Sequence, residues 1–213
     1  MGYRYHLLEA DEIRSRSPEI LAIYRGAFSR LPYSKSEDEV DEFSDSLSQD
    51  AAHAVNLQFV AAADPMNQRI AGFAYGRKVS AELPWCVTVS RYIDEGARED
   101  WLSEAYQLVQ IAVLPSHQRR GIGGALHDRL FERSPYHRAV LTTIDQGSPA
   151  RNFYQNRGWQ IITRGIEVPL AKRRYCLMGL INERGIMSAS DSKSQEEKRP
   201  TNDERIGDLN SGH

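Results

Sequence analysis

The sequence predicts an α/β domain built on a mixed, mostly antiparallel sheet, and three observations carry that reading. Segments of strand and helix periodicity follow one another in the order β-α-α-β-β-β-α-β-α-β-β. Residues 57–63 and 70–79 read as two strands joined near Asp64, Pro65 and Asn67, which makes a hairpin. Residues 110–126 run a β-branched strand into a basic glycine turn that opens a helix. With 213 residues, 40% of them hydrophobic, and a net charge of -2, the chain can bury one core and is too balanced for its charge to name a partner. Nucleic acid is not indicated.

Taken in order, residues 2–10 read as a short strand. A helix then begins at Asp11 and Glu12 or at Ser17, Pro18 and Glu19, turning Ile20, Leu21, Ile23, Tyr24, Ala27 and Phe28 inward. Pro18 suits the first helical position. The turn at Leu31, Pro32 and Tyr33 leads to Ser36, whose hydroxyl caps a second helix while Glu39 reaches back; Val40, Phe43 and Leu47 share one face. In the hairpin, Gly72 and Gly76 mark a bulge or a close backbone approach. Residues 80–104 form the least regular stretch, and long connections of that kind tend to be functional. Val109, Ile111 and Val113 then alternate with Leu108, Gln110 and Ala112 until Pro115 ends the strand; Ile122, Ala125, Leu126 and Leu130 recur at helical spacing. Residues 139–144 read as a strand, Ser148 with Pro149 starts another helix, and 161–168 with 175–181 finish as a strand pair. From residue 188 the composition changes: ten of the last 26 residues are charged and only Ala189, Ile206 and Leu209 are apolar, so 188–213 is expected to be a disordered tail behind a domain of residues 1–187.

Cys86 and Cys176 have no spacing partner, and no apolar run approaches a membrane span or a signal segment. A reduced cytoplasmic protein with no membrane partner is the expectation. The six histidines fall singly, so no metal is expected.

The glycine turn reads as an anion site. The first N–H groups of a helix lack intrahelical partners, the macrodipole is positive there, and Gly121, Gly123 and Gly124 carry no Cβ to obstruct an approaching phosphate, while Arg119 and Arg120 add charge. A P-loop needs Lys and then Ser or Thr after its last glycine, whereas Ala125 and Leu126 follow Gly124; the dinucleotide fingerprint needs glycine where Leu126 stands. The run Gln118, Arg119, Arg120, Gly121, Ile122 and Gly123, with Val113 and Pro115 upstream, resembles instead the pyrophosphate loop of the GCN5-related N-acetyltransferases (GNAT). A second stretch, from Ala150 through Phe153, Tyr154 and Gly158 to Trp159, resembles that family's helix of Ala, three residues, Tyr, three residues, Gly and an aromatic. The two motifs stand in the family's order, and the resemblance extends over about residues 1–182 in element order.

The resemblance implies the GNAT (acyl-CoA N-acyltransferase) fold, its sheet splayed at the centre and flanked by about four helices. It implies acetyl-CoA as acyl donor, with the pyrophosphate on Gln118, Arg119, Arg120, Gly121, Ile122, Gly123 and Gly124 and the pantetheine amides on the backbone of Ile111, Ala112 and Val113. Acetyl transfer to an amine needs a free nucleophile, a stabilised oxyanion and a donor for the departing thiolate; by resemblance Tyr154 is that donor. The expected acceptor is the primary amine of a small molecule, reached by direct transfer. A protein or peptide amine, or a non-catalytic acyl-CoA-binding regulatory module, is the alternative, and a homodimer is left open.

Two departures matter. Family members often carry Glu where Gln110 stands, and an amide cannot take a proton; Glu104, Glu99 or Asp94 through a water, or an amine arriving deprotonated, could serve instead. The Asn often found before the Ala of the tyrosine helix is replaced by Gly147 and Ser148, and Ser148 reads as a cap. Glu37, Asp38, Glu39, Asp41, Glu42 and Asp45 of the second helix, with the carboxylates of 94–100, read either as a wall for a cationic acceptor or as a solvated face.

Overall fold

A computed structural model describes residues 2–132, 134–168 and 173–183. Its strands are β1 (Arg4–Leu7), β2 (Gln58–Ala63), β3 (Ile70–Lys78), β4 (Ala105–Val113), β5 (Arg138–Ile144), β6 (Gln160–Glu167) and β7 (Arg174–Ile181). They form one sheet in the order β1-β2-β3-β4-β5-β7-β6, antiparallel throughout except for the parallel β4 and β5. The helices are α1 (Ala10–Ser15), α2 (Ser17–Phe28), α3 (Glu37–His53), α4 (Pro84–Ser90), α5 (Glu95–Leu102), α6 (Ile122–Glu132) and α7 (Pro149–Gln155).

Seven helices among the described residues replace the four expected, for two reasons. The first helix is broken at Arg16, so both of its candidate starts are used. Residues 80–104, read as irregular, hold α4 and α5, of seven and eight residues, too short to display a period. Their end signals were nonetheless present: Pro84 in the first turn of α4, and Asp94, whose carboxylate accepts from the Ala97 N–H at 2.8 Å. The capping box of Ser36 and Glu39 forms as the spacing predicts. The expected tail from 188 lies outside the described residues.

The helices divide by the face they cover. On one face, α1, α2 and α3 bury Ile13, Ile20, Ile23, Phe43 and Leu47 against Phe59, Phe73 and Tyr75. On the same face, α4 and α5 place Cys86, Val89 and Leu102 over Val140, Ile166 and Leu177. The opposite face carries α6 and α7, whose Ile122, Leu126, Leu130 and Tyr154 meet Leu108, Leu141 and Met178. The first two groups are separated by a buried ion pair of Asp50 with Arg77, and Arg77 Nε also donates to Gln107 Oε1 at 3.3 Å.

The register between β3 and β4 slips once. Gly76 pairs with Leu108 and Tyr75 with Gln110, so Val109 is the extra residue of a bulge. Gly76 is required there: a Cβ would fall 2.5 Å from both the Gln107 carbonyl oxygen and Tyr106 Cε1.

Breaking the ion pair on one side should be costly. Arg77→Met strands the Asp50 carboxylate in the core, for a loss of about 3–5 kcal/mol, while adding Asp50→Leu should return much of it. Urea midpoints of the single and double variants check this; a double variant no more stable than Arg77→Met would contradict it.

Candidate active site

The parallel strands β4 and β5 pair only at Ala105, Tyr106 and Gln107, opposite Arg138, Ala139 and Val140. Beyond Gln107 they part. Ladder alternation then decides which groups of β4 lose a partner. The Leu114 N–H donates to the Ala71 carbonyl at 2.9 Å, which puts Ala112 and Gln110 in hydrogen-bonded register with Phe73 and Tyr75 and turns the N–H and C=O of Ile111 and Val113 toward the gap. Two side-chain amides meet the gap-facing carbonyls: Gln118 Nε2 donates to Val113 O at 3.0 Å and Gln110 Nε2 to Ile111 O at 3.3 Å. Of the three residues expected to present backbone to a ligand, Ile111 and Val113 face the gap. Ala112 does not, because the ladder with β3 uses its groups.

The glycine turn stands at the open end of the gap. Pro115–His117 form one 3-10 turn after β4, and Arg119 and Gly121 take left-handed backbone, with φ of 61° and 79°. Such a conformation is uncommon for arginine and marks a constrained loop. The first helical bond runs from the Ala125 N–H to the Gly121 carbonyl at 3.0 Å, leaving the N–H groups of Ile122, Gly123 and Gly124 for something else. A Cβ at Gly121 would meet no atom within 4 Å, so the approach is open. The Ile122 side chain, by contrast, is in the core. Arg119 and Arg120 are exposed, and Arg120 Nη1 reaches the Tyr3 hydroxyl at 3.4 Å.

Tyr154 sits on α7, in the cluster that Leu108 of β4 and Leu141 of β5 join. Trp159 Nε1–H donates to His127 Nε2 at 3.0 Å, and His127 Nδ1 lies 2.9 Å from Asp128 Oδ1. An indole can only donate, so Nδ1 carries the imidazole proton, and burial holds the His127 pKa below its usual value. The residues following α7 are thereby pinned to α6. At the helix start, Ser148 caps α7 by accepting the Ala150 N–H at 3.2 Å.

Tyr33 connects the two faces. Its ring packs with the α2 and α3 cluster and stands edge-on to Phe28, yet its hydroxyl lies 3.3 Å from Ser148 Oγ on the α7 side. Arg173 Nη1 donates to the Tyr33 carbonyl. The turn between α2 and α3 is therefore strapped to both α7 and the start of β7. Nothing in a Pro-Tyr turn announces a contact 115 residues away.

Five of the eleven acidic candidates hold an ion pair or a cap among the described residues, Asp100 with Arg138 at 2.9 Å among them. Glu37 pairs with Arg25 at 2.8 Å and Glu39 with Lys35 at 2.9 Å, while Glu104 is exposed beside Lys78 at 3.1 Å, at the closed end of β4. Asp94 serves as a cap. Burial raises the Tyr175 pKa first, Glu39 and Glu42 add to the rise, and Arg173 opposes it. Among the described residues no cluster of His, Cys, Asp or Glu could hold a metal ion, and no helix is long and apolar enough to cross a membrane.

The family model of the acetyltransferase (GNAT) family matches residues 18–159, which takes in the bulge, the parting strands, the glycine turn and α7. The chain belongs to the GNAT family of acetyltransferases. It is an acetyl-CoA-dependent enzyme of that family. Solved structures share the fold at low identity. YncA of Salmonella typhimurium, a candidate acetyltransferase solved with its cofactor acetyl-CoA, is 14% identical over 86% of this chain and 95% of its own, with a TM-score of 0.58. The PaiA N-acetyltransferase of Thermoplasma acidophilum, in complex with coenzyme A, is 10% identical over 85% and 99%, with a TM-score of 0.52. The ribosomal-protein-S18-alanine N-acetyltransferase of Escherichia coli is 18% identical over 84% and 94%, with a TM-score of 0.54. No curated protein matches.

Burial, with Tyr33 beside it, raises the Tyr154 hydroxyl above its ordinary pKa in this acetyltransferase, and burial does the same at Tyr75 and Tyr106. The unfolded chain gives up these protons first, so the stability they contribute is full below about pH 10 and falls as pH rises beyond it. The buried thiols of Cys86 and Cys176, raised likewise, start the decline near about pH 8.5. Urea midpoints from pH 7 to 11 should show this fall, with a shallower alkaline limb for Tyr154→Phe; an unchanged limb would mean the phenol is solvated.

Proposed function

We propose that this enzyme transfers the acetyl group of acetyl-CoA to the primary amine of a small molecule by direct attack, in the gap between β4 and β5. The observation that carries the reading is the continuity of that gap. Its wall presents the N–H and C=O of Ile111 and Val113, its open end is the glycine turn with three unpaired N–H groups, and Tyr154 shares a cluster with Leu108 of β4 and Leu141 of β5, against which Ile111 and Val113 pack. A pantetheine amide fits the first feature, because each of its groups can answer a β4 group that has lost its strand partner. A pyrophosphate fits the second. In this reading Gln118, Arg119, Arg120, Gly121, Ile122, Gly123 and Gly124 hold the donor's phosphates, Ile122 through its N–H alone, and Ala112 aligns its neighbours.

The amine nitrogen attacks the thioester carbonyl carbon, the C–S bond breaks, and the thiolate takes a proton as the new ammonium loses one to solvent. Tyr154 is the proton donor. A phenol raised by burial stays protonated throughout the neutral range, and because it is then a weak acid it donates only to a thiolate in contact with it. Gln110 takes no proton, Glu104 is paired with Lys78 and Asp94 is a cap, so in this reading the amine arrives deprotonated and the rate should climb with pH toward the acceptor's own pKa. We read the turn at Tyr33, tied to Ser148 and to Arg173, as a fixed wall that favours a small acceptor. The two buried free cysteines agree with a reducing, cytoplasmic setting.

Turnover decides the roles. With one competent amine, Tyr154→Phe should lower kcat by a factor on the order of 10²–10⁴ while leaving acetyl-CoA affinity and melting nearly unchanged. Free-thiol release measured over a panel of diamines, aromatic amines and peptide N-termini tests the acceptor class: small amines should be turned over and peptides not. Normal turnover by the Phe variant would remove Tyr154 from the mechanism, and turnover of peptides alone would overturn the acceptor.

A further inference from the structure

The loop pattern ends at Gly123, yet a third glycine follows, and its reason lies on another helix. A Cβ at Gly124 would collide with Nη2 of Arg157, just past the end of α7. The guanidinium stacks over the Phe153 ring with its carbon 4.1 Å from the centroid, and that ring lies 3.8 Å from where a Gly123 Cβ would stand. Gly124 is the third residue of α6 and owns one of the three unpaired N–H groups. The arginine thus lies alongside the first turn of α6, where the helix is most positive.

What Arg157 meets there is not enough to neutralise it. The nearest carboxylate is Asp128, 3.8 Å from Nε, too far for a good hydrogen bond, exposed, and engaged with His127 Nδ1 at 2.9 Å. The Arg157 side chain keeps 29% of its surface exposed, while its Nε is buried without a hydrogen-bond partner. A cation placed against a positive helix end, its ion-pair partner an exposed carboxylate 3.8 Å away, raises the local potential, which is unfavourable until an anion arrives.

We propose that Arg157 is a further donor-binding residue, a third cation that hydrogen-bonds the pyrophosphate of acetyl-CoA from α7; this rests on the reading of the glycine turn as the donor's phosphate site. Arg119 and Arg120 are exposed and reach the anion through solvent, whereas Arg157 is fixed by stacking and lies beside the N–H groups themselves. A planar guanidinium offers paired donors suited to phosphate oxygens, which a lysine at the same place would not reproduce in full. Because Arg157 follows Tyr154 by three residues, the same contact ties the phosphates to the helix that carries the proposed acid.

The test compares three donors in calorimetry: acetyl-CoA, acetyl-dephospho-CoA, which lacks only the 3′-phosphate, and S-acetylpantetheine, which lacks every phosphate. Arg157→Met should weaken the first two equally, by about tenfold or more, and leave the third unchanged, with a shallower salt dependence and little change in melting. Arg157→Lys should recover part of the loss. Arg157→Ala, which also removes the stacking over Phe153, should match Arg157→Met. Unchanged affinity, an equal loss for S-acetylpantetheine, or a loss confined to the donor with the 3′-phosphate would each overturn the proposal. Gly121→Val separates the two levels: if it abolishes acetyl-CoA binding while Arg157→Met does nothing, only the arginine's role falls, and if neither variant binds less tightly the phosphate site itself falls.

Discussion

A backbone amide in a protein interior must find a partner, and the architecture of this chain turns on where β4 breaks that rule. The strand is zipped to β3 along its length, but its other edge is paired only as far as Gln107. The bulge at Val109 falls just beyond that point and re-aims the strand. Ile111 and Val113 are left facing open space, their carbonyls met by the carboxamides of Gln110 and Gln118. A wholly apolar ligand could not answer those groups; one with amides in an extended chain could.

The remaining elements hold the gap open and close its ends. On one face the Trp159–His127–Asp128 chain pins the residues after α7 to α6. On the other, α2 and α3 deliver Tyr33, and its hydroxyl crosses to the cap of α7. The ion pair of Asp50 and Arg77 sits between the two helical groups of that face, near the point where β4 and β5 are still paired. Rigid packing on both sides of a parted sheet keeps the opening from collapsing, since the cores on either face cannot shift without creating cavities.

Much of this was legible in the residues. The hairpin, the capping box at Ser36, the cap at Ser148 and the glycine turn each follow from local chemistry, in which a few neighbouring residues decide the backbone. The parting of β4 from β5 entered only through resemblance, because strand separation depends on pairing between segments about thirty residues apart. Two short helices were missed where the chain was too brief to show a period, although Pro84 and Asp94 marked their starts. Ala112 was grouped with Ile111 and Val113 because sequence spacing does not say which edge of a strand a backbone group faces. The contacts of Tyr33 with Ser148 and of Arg157 with Gly124 are purely tertiary, and no local signal foretells them.

The account rests most directly on the edge of β4, and amide hydrogen exchange read residue by residue observes that edge itself. On saturation with acetyl-CoA, the N–H groups of Ile111 and Val113 should gain strong protection, while those of Gln110 and Ala112, already paired with β3, should change little. Protection appearing equally at all four, or at none of them while acetyl-CoA is bound, would place the donor elsewhere and contradict the account.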